Sequence, residues 1–489
     1  NVLFVIVLGF QGKIVKSALE TLLPERKFEF VWVDRWEGAG SGLGRSILAA
    51  ESLLQCPFVF SPNDCFPAEV TWDMDPSSSG NWICSTRKES ISHEIHHEYR
   101  GVVETGDQKL DQLSAKGLPS SSLYTGLCGI KNYQRFWASI RESDPTVGEA
   151  AGIRALNSVK VYHVGEWWDI GNPQAATETR AHFSTSEYSI LEKSDEAIWF
   201  SGDRVIKLFA NRDVVAKRIN RLNYLPQSMM PVITKVSEHA YGYEKIEGSV
   251  LSKSRHLGRV ENSLNYCWDI MWSMGREVST NEAENKYFVD QFYRAKTQSR
   301  LHLFIETREF RDVEENINGS RVPSAEALLK RFDWEEMSKV IVLTNVHGDF
   351  HPENILLTKA GEVRLLDWRH EFLPDQLERG DLYYDLAKFL HGLIVNHESV
   401  SRDRYLVEAI EDGFVVDIQR SHFSIQVESM FKSWLKSKGL DCSLVRTVTG
   451  LIFLNIAALH HSPYDVFLFL LGRSLLAEEL ADEKNKFIM

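Results

Sequence analysis

No Cys-x-x-Cys pair occurs among the six cysteines, Cys56, Cys65, Cys84, Cys128, Cys267 and Cys442. Without one there is neither a zinc knuckle nor a disulfide framework, and the scatter reads as reduced thiols in a cytoplasmic protein. No apolar run reaches the roughly 20 residues that a membrane span needs. The most apolar stretches, Leu451–Leu459 and Val466–Leu471, are separated by His460, His461, Ser462 and Pro463 and read as core helices. Basic excess is also lacking: 55 Lys and Arg stand against 68 Asp and Glu, a net charge of −13. A nucleic-acid surface needs a basic footprint and is excluded on that ground. Nucleotide binding is not excluded, because Mg²⁺ and a few lysines suffice for a triphosphate. Internal repeats and low-complexity tracts are absent. So is any lead-in to the first strand: the chain opens at Asn1 directly on the apolar run Val2–Leu8, from which residues upstream are expected to be missing.

What remains has the composition of an ordinary globular protein, 43% hydrophobic and 25% charged. A length of 489 residues exceeds what one core supports, so two domains are expected. Residues 1–182 alternate short apolar runs (Val2–Leu8, Phe28–Val33, Phe58–Ser61, Trp82–Ser85) with helical patterns (Gly12–Leu23, Gly44–Leu54). That alternation predicts an α/β domain on a largely parallel sheet. Residues 183–489 differ in character. A small lobe over about 187–250 is predicted from an antiparallel pair, Ala197–Phe200 and Val205–Phe209, a helix over Arg212–Leu222 and a strand over His239–Ile246. A helical large lobe follows over about 251–489, with one hairpin at 355–367 and a surface loop at Asn316–Pro323.

The most informative stretch is His347-Gly348-Asp349-Phe350-His351-Pro352-Glu353-Asn354, then Ile355–Leu357, a turn, and Leu365-Leu366-Asp367-Trp368. Phosphoryl transfer to an alcohol needs a carboxylate to orient or accept the hydroxyl proton, and oxygen ligands to fix Mg²⁺ against the phosphates. Asp349 and Asn354 have the spacing of a kinase base and its metal-binding amide. The hairpin returns Asp367 beside Asn354, so two hard oxygen ligands converge.

This pattern resembles the aminoglycoside phosphotransferase and choline kinase superfamily, relatives of the protein kinases, over roughly residues 187–489. The resemblance implies a protein-kinase-like bilobal α+β fold, ATP and Mg²⁺ as cofactors, and a small-molecule acceptor. It makes Asp349 the base, His347 a support of its loop, and Asn354 and Asp367 the Mg²⁺ ligands. Gly380-Asp381-Leu382-Tyr383-Tyr384-Asp385-Leu386-Ala387 matches the family's downstream helix, where Asp381 would brace the loop. Lys207 falls at the phosphate-binding lysine, and Glu244–Gly248 at the hinge that meets adenine. Two departures stand out: the helix after Lys207 has no glutamate at the pairing position, and the first hairpin lacks a glycine-rich phosphate loop.

A second pattern lies in the N-terminal domain. Val31-Trp32-Val33-Asp34 precedes the glycine cluster Gly38–Gly44, a strand ends in Ser61-Pro62-Asn63-Asp64, and Glu166-Trp167-Trp168-Asp169-Ile170-Gly171-Asn172-Pro173 comes later. The order resembles the sugar-phosphate nucleotidyltransferases, including those that activate phosphocholine, and implies their mixed, Rossmann-like sheet. Carried over, Asp64 and Asp169 would bind Mg²⁺, Lys116 would lie near the sugar phosphate, Gly38 and Gly40 would belong to a loop near the base, and CTP or UTP would be the nucleotide. The family's opening G-x-G-T/S-R loop, which cradles the triphosphate, is not found between Asn1 and Gly12.

Other signals are discounted. His93-Glu94-Ile95-His96-His97 matches H-E-x-x-H, but that motif works only on a helix and here precedes a strand-like run. Gly38–Gly44 misses the third glycine of a dinucleotide fingerprint, and Trp268, Trp272 and Trp434 read as core. The leading expectation is a bifunctional enzyme that phosphorylates a small alcohol or sugar and then transfers a nucleotidyl group to the product, a precursor for surface polysaccharide or lipid. The alternative is a kinase alone, with a degenerate nucleotidyltransferase-like binding domain. Oligomeric state stays open.

Overall fold

The computed structural model describes residues 2–38, 41–67, 70–87, 99–118, 120–171, 175, 179, 182, 196–273 and 281–486. The chain forms two compact units, Asn1–Tyr188 and Ser189–Met489. Among the described residues no helix is long and apolar enough to cross a membrane.

In the first unit, β1 (Leu3–Leu8) and β2 (Lys27–Trp32) pair in parallel around the amphipathic helix Gly12–Leu22. A larger sheet runs β7 (Leu110–Lys116), β6 (Arg100–Glu104), β8 (Ser122–Ile130), β5 (Trp82–Arg87), β9 (Lys160–Val164), with β3 (Phe58–Phe60) also on β8. Only its β5–β9 pair is parallel, so the sheet is mixed, as the nucleotidyltransferase resemblance implies, and not largely parallel as the apolar alternation alone predicts. Burial makes a strand apolar whichever way it runs, so apolar runs carry no direction; short links such as 105–109 between β6 and β7 set it. Phe58, Ile83, Phe136, Trp137 and Val161 form the core beside this sheet. The helix expected over Gly44–Leu54 spans Leu43–Ala49. β4 (Cys65–Pro67) pairs antiparallel with β10 (Trp167–Asp169), Cys65 opposite Asp169.

The second unit opens with a sheet ordered β11 (Glu196–Ser201), β12 (Arg204–Phe209), β14 (Ala240–Glu244), β13 (Thr234–Lys235). Gly202, at φ +57°, makes the tight turn between β11 and β12. β15 (Gly248–Val250) then pairs with β19 (Ile355–Thr358), which pairs with β20 (Val363–Leu365), so the chain leaves the small lobe just after Glu244. A Cβ at Gly248 would lie 2.4 Å from the Leu357 carbonyl oxygen, which reserves that position for glycine.

Two expectations for the large lobe fail. The supposed loop at Asn316–Pro323 is a hairpin of β16 (Glu315–Ile317) and β17 (Ser320–Val322), turned by Asn318 and Gly319 at positive φ. Asn-Gly is the strongest two-residue hairpin signal; it was hidden by the charged sequence before it. A second hairpin, β22 (Tyr405–Ile410) and β23 (Gly413–Ile418), joins the first through a parallel β16–β23 pair. Leu382–Ile394, Cys442–Ala457 and Tyr464–Lys486 are the main core helices, and Trp268, Trp272 and Trp434 are buried as expected.

Candidate active site

Local bonding fixes the His347–Asn354 loop. The backbone N–H of His351 donates to the Asp349 carbonyl at 2.7 Å, and that of Asn354 to the His351 carbonyl at 2.8 Å, which closes the one-turn helix Pro352–Asn354. The Asn354 side-chain N–H₂ donates to the Asp349 carbonyl at 2.9 Å and to its Oδ2 at 3.2 Å. With its nitrogen committed, the amide presents its oxygen to any cation. The β19–β20 hairpin closes with the Leu366 N–H on the Asn354 carbonyl, 2.8 Å, which sets Asp367 beside Asn354. Asp367 adopts φ +60°, a conformation rare for a residue with a side chain and concentrated at functional sites.

Lys207, on β12, is 2% exposed and ion-pairs with Asp367 and, at 3.4 Å, with Glu196. The helix Arg212–Arg221 contributes a base where the pairing acid was sought: Arg218 lies 3.4 Å from Asp367 and 3.9 Å from Glu196, and donates to the Tyr241 hydroxyl at 3.1 Å. The acid comes from β11 instead, through Glu196. Two cations and two carboxylates therefore alternate, with Lys207, Arg218 and Glu196 largely shielded from solvent and Asp367 partly open to it, the arrangement in which buried charges are tolerated.

Behind the loop the expected brace is wrong. Asp381 caps the helix Leu382–Ile394, accepting from the Tyr383 N–H at 3.1 Å, the Tyr293 hydroxyl at 2.7 Å and the Val342 N–H at 3.1 Å. Asp385, one turn further, braces the loop: its carboxylate accepts the His347 N–H at 2.7 Å, the Gly348 N–H at 2.6 Å and the Trp272 indole N–H at 3.1 Å. Burial raises both carboxyls to about 6. Arg221 holds the same loop by its carbonyls, Val346, His347 and, across from it, Arg369, and burial pushes its guanidinium down to about 9. His347 is fully buried, receives the Asp349 N–H on Nδ1 at 3.3 Å, and is held neutral, down to about 3, by burial. Lys388, on the same helix as Asp385, places Nζ 2.7 Å from Asp349 Oδ1. Glu244 ends β14 exposed, opposite Arg204.

In the first unit Asp64 and Asp169 are brought together. The Ile170 N–H donates to the Asp64 carbonyl at 2.6 Å, and the Gly171 N–H to Asp169 Oδ1 at 2.7 Å. A Cβ at Gly171 would stand 3.0 Å from Asp169 Oδ1 and 3.4 Å from Asp64 Oδ2, so glycine keeps the space between the carboxylates open. Burial and these two charges raise the Cys65 thiol to about 12. Tyr99 donates its hydroxyl to Asp169. Lys116 forms no hydrogen bond or ion pair with either aspartate; it is exposed at the end of β7, and its field falls on the buried Glu149. Gly38 turns at φ +78°, whereas Gly40 and the His93–His97 motif lie outside the described residues. Gly9 and Gly12 pack against Trp36 and Trp32, where a Cβ would approach within 2.7 Å. Among the described residues no three His, Cys, Asp or Glu side chains are grouped to hold a metal ion.

Residues 293–419 match the model of the phosphotransferase enzyme family, a span that holds the loop, the β19–β20 hairpin, Asp385 and Lys388. No curated protein matches the chain in sequence. Among solved structures, HddC from Yersinia pseudotuberculosis is 14% identical, with 37% of this chain and 79% of that one aligned at a TM-score of 0.29. The inositol-1-phosphate CTP transferase from T. maritima is 13% identical over 35% of this chain and 70% of its own, at 0.27. The ADP-bound aminoglycoside phosphotransferase APH(2'')-Ib is 12% identical over 63% of this chain and 99% of its own, at 0.32. It is over residues 293–419, and through the elements that surround Asp349, that the chain is similar in sequence to the phosphotransferase enzymes.

Proposed function

We propose that the second unit is a small-molecule kinase and that the first transfers a nucleotidyl group to the phosphorylated product. The observation that carries the reading is the convergence of Asp349, Asn354, Asp367 and Lys207 from three separate elements. In the kinase step the acceptor oxygen bonds to the γ-phosphorus of ATP, the bond to ADP breaks, and the hydroxyl proton passes to Asp349. Lys388 fixes the Asp349 carboxylate, Lys207 reaches the phosphates, and the segment from Glu244 to Gly248 borders the base. The Asn354 oxygen and the Asp367 carboxylate fit Mg²⁺, which takes few protein ligands and completes its shell with water and phosphate oxygens. Bound there, the ion would screen the phosphate charge.

Asp64 and Asp169 offer a second carboxylate pair, kept open by Gly171, that suits Mg²⁺ with CTP or UTP. One observation favours the alternative in which this unit only binds: the glycines of the first strand-to-helix turn pack on tryptophans and form no phosphate cradle. Phosphorus-31 NMR with ATP, Mg²⁺ and an acceptor panel decides, with CTP and UTP in a second tube and Asp349→Ala as control. The reading expects a phosphomonoester that vanishes in the variant, then a pyrophosphate-diester signal. ATP that stays intact in every tube would contradict the kinase; a phosphomonoester without the diester would leave the binding-only alternative.

A further inference from the structure

Three cations, Lys388, Arg369 and Lys296, cluster beside the Asp349 loop. Lys388 Nζ is 2.7 Å from Asp349 Oδ1. One helical turn before it, Tyr384 shares with Phe292 a floor beneath two more. Lys296 Nζ lies 4.6 Å from the Phe292 ring centre and 5.8 Å from that of Tyr384. The Arg369 guanidinium lies 5.2 Å and 5.9 Å from the same two rings. Arg369 is also tied to the loop, since a Cβ at Gly348, the residue before Asp349, would come within 2.6 Å of its own Cβ.

Neither Lys296 nor Arg369 forms an ion pair with a carboxylate of the described residues. The Arg369 guanidinium donates, among the described residues, to the Glu371 carbonyl at 2.6 Å and the Tyr384 hydroxyl at 3.5 Å, and the backbone N–H of Arg369 donates to the His347 carbonyl at 3.1 Å. Burial above all, and after it the fields of Arg369, Lys388 and Arg300, all cations, drive the Lys296 ammonium well below the ordinary lysine range. A chain of net charge −13 has many acids with which such groups could pair. Elsewhere in the unit the buried cations Lys207, Arg218 and Arg473 each meet carboxylates, and Arg221 is satisfied by four backbone carbonyls. Ring faces hold cations at modest gain, and three cations crowded beside one carboxylate, Asp349, are unfavourable unless a ligand supplies a second anion. The same field repels an amine.

Resting on the kinase reading above, we propose that the acceptor is itself an anion, an alcohol or sugar bearing a phosphate or carboxylate, and that Lys296 and Arg369 receive that group while Asp349 engages the hydroxyl. The site thus selects against amino sugars and quaternary ammonium alcohols by charge.

The test compares matched acceptors with the full chain: hexoses, polyols and glycerol; their phosphates and the corresponding sugar acids; and amino sugars and choline. Turnover is expected with anionic members only. Lys296→Gln should raise the acceptor KM at least tenfold and leave the KM for ATP within twofold. Lys296→Met, which preserves the apolar stem over Phe292 and Tyr384, should do the same and serves if the glutamine variant folds poorly. A neutral or cationic acceptor with the higher kcat/KM overturns the proposal, as does a rise in the KM for ATP instead, which would assign the cations to the nucleotide. If no acceptor turns over but Mg-ATP still raises the Tm, sulfate decides. Stabilisation of the wild type by sulfate, lost in both variants, supports the anion site; equal stabilisation of all three overturns it. Absence of any Mg-ATP binding would instead bring down the kinase reading itself.

Discussion

The two carboxylate sites of this chain are built in opposite ways. Asp64 and Asp169 stand at strand ends near the surface, and their approach follows from one antiparallel register and a glycine. The site around Asp349 is enclosed: Lys207, His347, Asp385 and Arg221 are buried, and each is tied to a different element. A site of the first kind is placed mainly by backbone, with the Tyr99 hydroxyl on Asp169 as a side-chain tie, so its side chains can be changed with less effect on folding. In a site of the second kind every polar group is also a partner, and removal of one leaves another unsatisfied in a dry interior. Function and stability are separable in the first unit and coupled in the second.

The largest effect that would break the comparison is on chemistry. Asp349→Ala should lower phosphoryl transfer by at least about a hundredfold, the usual contribution of a positioned base, in a steady-state assay with the accepted substrate. Next comes the brace. Asp385→Asn should weaken the unit by about 1–3 kcal/mol and reduce kcat, because the His347 and Gly348 N–H groups lose a charged acceptor. Asp381→Asn should destabilise the helix start by a similar amount but leave kcat closer to wild type. Equal losses of kcat in the two variants would show that Asp385 has no special hold on the loop. Asp169→Asn should remove pyrophosphate release with CTP or UTP, with both Tm and kinase rate unchanged; a fall in Tm would make the first site as coupled as the second.

A smaller effect is expected with pH. Burial holds His347, His351 and His391 neutral, all with depressed affinity for a proton. A group depressed in the fold contributes stability above its unfolded pKa, about 6.5 for histidine, and loses it as pH falls. Asp381 and Asp385, raised to about 6, act in the opposite sense and lose their contribution as pH rises through that value. Three imidazoles outweigh two carboxyls, so thermal stability of the full chain should decline between about pH 6.5 and 4, and His391→Asn should flatten the decline. A level profile in the wild type would mean that these rings carry protons in the fold.

What the sequence made legible was local. Asp349, Asn354 and Asp367 lie within 19 residues and are joined by a hairpin whose register follows from its turn. The groups that hold them come from afar: Arg218 and Arg221 precede the loop by more than a hundred residues, and nothing in their helix marks the face that meets it. Glu196 was obscured because its strand begins there, on the far side of a hairpin from Lys207. Asp381 and Asp385 share one motif and one helix, and spacing cannot tell a cap from a brace. That distinction depends on which side of the helix faces the loop, and only packing decides it. Chain order alone set the expectation for Lys116, and it could not show that its strand pairs it with Arg100.

The claim that Lys207, Asn354 and Asp367 form one Mg-nucleotide site can be put to a direct measurement, isothermal titration of ATP with and without Mg²⁺. Wild type and Asp349→Ala should both bind ATP in a Mg²⁺-dependent manner if Asp349 acts as proposed, as base and not as ligand. Asp367→Ala should lose that dependence and most of the affinity. Unchanged, Mg²⁺-dependent binding by Asp367→Ala would contradict the assignment.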